Sequence, residues 1–188
     1  MPRIVTSLNE LRSSGRMCPE GWSTLLGGLG KTKADDAPLD VLECLPICGH
    51  RDTLWHLPNW PALDEACRSL ALSYARAVAH FAKEPAVPVI LDRCEGFLRG
   101  QLPWQQVVEA VPLGYRDIAQ YDCHSWELLS GPDEAALYAS VLTTFPDGCL
   151  SPFLVAHAAE QAEGLSSSTG RERAERRHHD LLEAFLRE

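Results

Sequence analysis

Long apolar runs are missing from this 188-residue chain: the longest candidates are broken by Arg76, Pro88 or Asp92. None approaches the roughly 18 consecutive apolar residues that a membrane-spanning helix requires. The first 17 residues carry Arg3, Arg12 and Arg16 but lack the apolar segment of about 7–15 residues found in secretory signals, so export by that route is not expected. Alternating runs of β-branched residues are absent too, which leaves a sheet without obvious material. Basic charge is in short supply, with 17 Lys and Arg against 26 Asp and Glu and a net charge of −9, so the molecule as a whole repels nucleic acid and anionic membranes. The seven cysteines are odd in number, form no C-x2-C pair, and fall in helical segments. Buried, reduced thiols fit that usage better than a disulfide framework, and a cytoplasmic location is expected.

What the chain does have is helical periodicity on an ordinary globular composition, 45% hydrophobic and 23% charged, which excludes disorder for most of its length. From 64 to 82, Ala66, Cys67, Leu70, Ala71, Tyr74, Ala75, Val78 and Phe81 recur at three- and four-residue steps, while Asp64, Glu65, Arg68 and Arg76 fall largely on the other side. Trp22, Leu25, Leu26 and Leu29 predict a short helix closed by Gly27, Gly28 and Gly30. Asp36 is placed to cap the next helix, with Pro38 in its first turn and Gly49 at its end. A further turn over 52–57 carries Trp55, and Pro58 and Pro61 end it. Helices are also predicted over 89–98, 104–111, 115–129, 133–145, 152–162 and 171–186. The expected fold is all-α, a compact bundle or stacked antiparallel pairs of about eight to ten short helices. The chain divides into an N-terminal arm (1–17), a helical region (18–101), a second helical region (102–163), and a linker with a terminal helix (164–188), all within one compact domain. Residues 164–170 read as a flexible linker by composition.

Several groupings invite a chemical reading. Cys44, Cys48 and His50 have the thiolate and imidazole types that suit zinc, but no fourth ligand is evident nearby, and buried thiols are the preferred reading. Cys123 and His124 would form a nucleophile and base only if their side chains met, and adjacent helical residues point about 100° apart. His178 and His179 are split in the same way and are read as solvated surface. Residues 27–32 imitate a phosphate loop, but Leu25 stands where its first glycine belongs and a helix precedes it, so a helix C-cap and turn is preferred. Trp22 and Trp55 are read as core, and Trp60 and Trp104 divide evenly between core and binding surface. Residues 171–188 hold five arginines and five acids, so the whole −9 belongs to residues 1–170.

Four motifs then appear in order. Gly21, Trp22, Leu25, Leu26, Leu29, Gly30, Lys31, Thr32, Ala34, Asp35, Asp36, Pro38 and Leu39 spell G-W-x-x-L-L-x-x-L-G-K-T-x-A-D-D-x-P-L. Asp52, Leu54, Trp55 and Leu57 give D-x-L-W-x-L; Ala75 to His80 give A-R-x-V-x-H; Leu91, Asp92 and Glu95 give L-D-x-x-E. This run of about 80 residues resembles a family of helical immunity proteins carried by phages, prophages and other mobile elements, and the closing helix over 173–186 is similar to the family's own. The departure lies in 102–163, which is varied and proline-punctuated here where many relatives have an alanine- and tryptophan-rich helical repeat. The resemblance implies no catalytic residues, and no cofactor or metal is expected.

The function expected from this is a non-enzymatic, acidic protein that binds and inhibits a protein partner with a basic surface. A host defence complex (anti-CRISPR-like) and a toxin (immunity-like) are the two candidate targets. The motif and candidate partner residues are Lys31, Asp35, Asp36, Asp52, Trp55, Trp60 and Trp104. The motif's turn and caps favour a structural role over a contact surface, with Asp52 placed to cap the helix that bears Trp55. Two alternatives stand beside this reading. One is a metal- or thiol-dependent enzyme using Cys44, Cys48 and His50, or Cys123; the other is a nucleic-acid accessory protein using the terminal arginine helix.

Overall fold

A computed structural model describes residues 4–13, 18–56, 64–115, 131–144 and 151–187, with the side chains of Trp55, His56, Asp64 and Ser151 excepted. Among the described residues the protein is all-α: α1 (Leu8–Ser13), α2 (Pro19–Gly28), α3 (Val41–His56), α4 (Asp64–Val78), α5 (Ala86–Leu98), α6 (Trp104–Ala110), α7 (Pro132–Leu142), α8 (Ser151–Ser166) and α9 (Gly170–Arg187). The helix expected over 115–129 lies mostly outside the described residues. Two strands of two residues, β1 (Val5–Thr6) and β2 (Leu39–Asp40), pair antiparallel with Val5 opposite Asp40 and Thr6 opposite Leu39.

The main core is built around α8. Its Leu154, Val155, Ala156, Ala158, Ala159 and Ala162 are buried on almost every side, as expected of a helix enclosed by α4, α7, α9 and α3. Alanines at Ala135, Ala136 and Ala139 on α7 and at Ala158, Ala159 and Ala162 on α8 leave room for the two helices to pack closely. The hydroxyls of Ser140, Thr143 and Thr144 turn back to donate to the carbonyls of Ala136, Ser140 and Val141, so these buried polar groups are satisfied within α7. A second, smaller core gathers Leu8, Leu11, Leu25, Leu39 and Cys44 from α1, α2, β2 and the start of α3. α1 contributes Leu8 and Leu11 to this core, while Ile4, just ahead of β1, packs in the main core.

Local chemistry explains most boundaries. After α2, Gly30 takes φ 65° and the amides of Gly30 and Lys31 donate to the carbonyls of Gly27 and Leu26, a glycine-closed C-cap. The next helix does not begin at Asp36. Residues 39–40 are drawn into the pairing with β1, so α3 starts at Val41, Pro38 lies outside it, and Asp40 is the cap, accepting from the Leu42 amide at 2.9 Å. Gly49, with φ 76° and ψ 172°, breaks α3 into two helical halves and redirects the second one, which begins with His50 and Arg51. The expected linker at 164–170 is mostly helix. α8 continues to Ser166, and α9 begins at Gly170 after a three-residue turn.

Two sequence-based side assignments change in three dimensions. Arg68 is buried rather than on the outer face of α4, its guanidinium 4.1 Å from the centre of the Trp104 ring. His178 is also buried, not solvated, with no exposed surface at all. It sits in a row of buried positions four apart, Gly170, Ala174, His178, Leu182 and Leu186, that forms the inner edge of α9.

Candidate functional site

The most unusual chemistry lies where α3, α8 and α9 meet. Glu160, 1% exposed, projects from the enclosed face of α8, where the neighbouring helices offer mostly apolar side chains. An unpaired carboxylate could not remain charged there. Its Oε1 is 2.7 Å from His50 Nε2 on the second half of α3 and 3.2 Å from His178 Nδ1 on α9. Its Oε2 accepts from the Arg51 guanidinium, and the same Arg51 nitrogen also donates to Glu175 on α9 at 2.9 Å. Burial by itself would raise the Glu160 carboxyl. The hydrogen bonds from His178 and His50 and the charge of Arg51 overcome that and hold it far below the usual carboxylate range. Burial pushes His178 in the opposite sense, below the ordinary imidazole range, against the pull of Glu160. Tyr74 on α4 packs its ring 4.4 Å from that of His178 and donates its hydroxyl to the His178 carbonyl, so a fourth helix braces the cluster.

Among the described residues, His50, Glu160 and His178 are the group of three whose ligand-type atoms converge, all within 4.8 Å of one another. Comparison with protein-family models, curated proteins and solved structures finds no match to this chain. The cluster must therefore be read from its own geometry.

Sequence reasoning named His50 but gave it other partners. The turn at Gly49 sends His50 toward α8, while Cys44 and Cys48 stay with the second core, packed among Leu8, Leu25 and Ile47. The thiols are held protonated: burial, then the nearby Cys48, Glu43 and Asp40, push Cys44 up to about 12, and burial with Asp52 pushes Cys48 to about 11. That is the reverse of what a thiolate ligand or nucleophile needs. Cys123 and His124 lie outside the described residues. Glu160 carried no local motif. The visible signal for His178 was its place in the four-residue row of α9, and for Glu160 the oddity of an acid in an otherwise apolar helix.

The motif residues separate into two sets. Lys31 Nζ reaches both carboxylate oxygens of Asp35 at 2.8 and 2.9 Å, and this bond, with the Ala37 amide, holds the Asp35 carboxyl below its ordinary range despite some desolvation. Asp36 accepts from Asn9 Nδ2 at 2.7 Å, and the Asn9 amide donates to the Asp35 carbonyl, fastening the turn to α1. These polar atoms are used locally. Asp52 falls inside the first turn of the second half of α3 rather than at its cap, because that half resumes at His50; the side chain is exposed and makes no hydrogen bond or ion pair among the described residues. Trp22 packs half-buried against the second core. Trp104 packs half-buried against the main core, 5.0 Å from the Phe97 ring, with Arg68 over its face. The Trp55 side chain and all of Trp60 lie outside the described residues.

The terminal helix shows how its arginines are occupied. Arg171 pairs with Glu175, Arg177 with Glu163 and Arg187 with Glu183, leaving Arg173 and Arg176 as its exposed cations without an ion pair among the described residues. A shallow groove of about 430 Å³ between α4 and α5 is likewise self-neutralised, since Arg76 and Arg99 on its wall both bind Glu95. No helix among the described residues is long and apolar enough to cross a membrane.

Proposed function

We propose that this is a non-enzymatic, acidic helical protein, of the phage or mobile-element kind its motifs resemble, acting in the cytoplasm. In this reading it binds and inhibits a protein partner through a basic surface on that partner. The partner class is a host defence complex, in the manner of an anti-CRISPR protein, or a toxin, in the manner of an immunity protein.

The observation that carries this reading is a set of uncompensated acids on α2 and α3. Glu20, Glu43 and Asp52 are exposed and have no ion pair among the described residues, whereas Lys31, Arg51, Arg76, Lys83 and Arg99 are all tied to acids of the same chain. Asp52 lies against the first turn of α2, its Oδ2 3.7 Å from the position a Cβ would take on Gly21, so two packed helices present like charge on adjoining surfaces. Such a surface repels itself and favours a cationic partner, steering association at long range.

The test is capture from host lysate with the wild-type chain and with a Glu20→Lys, Glu43→Lys, Asp52→Lys variant, at about 50 and about 300 mM salt. A basic protein retained by the wild type, weakened by salt and lost from the folded variant supports the reading. Equal capture by both chains, or capture indifferent to salt, removes it.

A further inference from the structure

We propose that His50, Glu160 and His178 form a binding site for a first-row divalent metal ion, of the Zn²⁺ or Co²⁺ class, which joins α3, α8 and α9. The inference is independent of the partner-binding reading above.

The donor set is the first argument. Two imidazoles and one carboxylate are ligands of choice for zinc and its neighbours, and they arrive from three separate helices. The two rings are not distributed over the two carboxylate oxygens. Both turn to Oε1, at 2.7 and 3.2 Å. A tetrahedral ion with bonds of about 2.0–2.2 Å needs its ligand atoms roughly 3.3–3.6 Å apart. The observed separations, from 2.7 Å to no more than 4.8 Å, bracket that range, so shifts of a few tenths of an ångström to about 1 Å would seat the ion.

The surroundings form the second argument. Arg51 holds the other oxygen of Glu160, the outer contact that orients a ligating carboxylate, and Glu175 in turn takes up the charge of Arg51. Tyr74 fixes the backbone and ring of His178. Of the three ligands only His50 retains exposed side-chain surface, 12%, which places the entry path and a solvent ligand on its side.

Hydrogen bonding alone leaves the cluster incomplete. With Nδ1–H donating to Glu160, His178 Nε2 is a buried lone pair with no partner among the described residues. Metal on Nδ1 puts the proton on Nε2, which has no hydrogen-bond partner among the described residues in either state, so the far side of the ring sets no preference against the ion.

The experiment uses the full chain, stripped with chelator and dialysed, then given Zn²⁺ or Co²⁺. Expected are one equivalent of metal per chain, a Co²⁺ visible spectrum of a low-coordinate nitrogen and oxygen site without thiolate charge-transfer bands, and a Tm raised by roughly 5–11 °C at a hundredfold excess over Kd. His50→Gln keeps an N–H toward Glu160 but supplies a poor ligand. It should fold with the Tm of the metal-free wild type and lose the metal-dependent rise, while Cys44→Ser with Cys48→Ser keeps it. An unchanged Tm with a Co²⁺ spectrum of the aqueous ion overturns the proposal. So does undiminished binding by His50→Gln, or a thiolate spectrum that disappears in the cysteine variant.

Discussion

Replacing Glu160 by glutamine in the metal-free protein changes one oxygen to an amide nitrogen at the point where three helices converge. Glutamine can still accept at one end. If that end faces the imidazoles, the amide N–H₂ confronts the Arg51 guanidinium; if it faces Arg51, the N–H groups of His50 and His178, now 2.7 and 3.2 Å from Oε1, lose their acceptor. Either way the charge that compensates the cluster is gone; Arg51 keeps Glu175 and some solvent, so the larger loss falls on the buried imidazole of His178. Breaking a buried pair from one side costs about 3–5 kcal/mol, against a typical total stability of about 5–15 kcal/mol. For a chain of this length the Tm should fall by roughly 6–20 °C. Urea unfolding of wild type and Glu160→Gln, compared at unchanged m, measures the loss. Asp92→Asn is the control, because Asp92 also pairs with an arginine, Arg76, but is 69% exposed and should change stability by less than about 1 kcal/mol. A double substitution tests the cause: His178→Leu combined with Glu160→Met should be less damaging than the two single losses added together, since the buried imidazole that Glu160→Met strands is removed with its partner. A loss for Glu160→Gln no larger than that of Asp92→Asn would refute the reading of Glu160 as a buried carboxylate whose partners on α3 and α9 depend on its charge.

Gly170→Ala should destabilise by at least about 2 kcal/mol in the same urea assay, although Gly→Ala in a helix ordinarily stabilises. A Cβ there would sit 1.8 Å from the Glu163 carbonyl oxygen, and α8 and α9 would have to separate; an unchanged midpoint would show that the junction yields freely. Gly28→Ala places a Cβ 2.4 Å from Ile47 Cγ2, so it should unfold at lower urea, and Ile47→Ala should be less harmful in that background than in the wild type. Thiol alkylation of the native protein followed by peptide mapping should label the exposed Cys18 readily at pH 8. Cys48 and Cys94, each pushed up to about 11 chiefly by burial, hold roughly one thiolate per thousand at that pH and should label appreciably only as the pH approaches 11. Equal labelling of Cys18 and Cys48 at pH 8 would contradict that placement.

The sequence by itself determined the fold class and most element positions, because three- and four-residue apolar spacing and glycine or proline punctuation act locally. The burial of Tyr74 and Val78, the C-cap at Gly30 and the break at Gly49 could all be read from neighbours within one or two turns. It also determined where the charge resides, since a count needs no coordinates. Where local signals competed with tertiary pairing, they lost: Asp36 is a good capping residue, but Leu39 and Asp40 pair with β1 and move the cap to Asp40. Only the tertiary structure decided the site. His50 and Glu160 are 110 residues apart, and His50 and Arg51 reach α8 because one glycine with a positive φ turns the chain away from the cysteines. Helical periodicity tells which side of a helix faces inward, but which side chain it meets there depends on how distant helices are laid against one another. A buried glutamate and a buried histidine are costly in isolation, and their partners became visible only when α3, α8 and α9 were brought together.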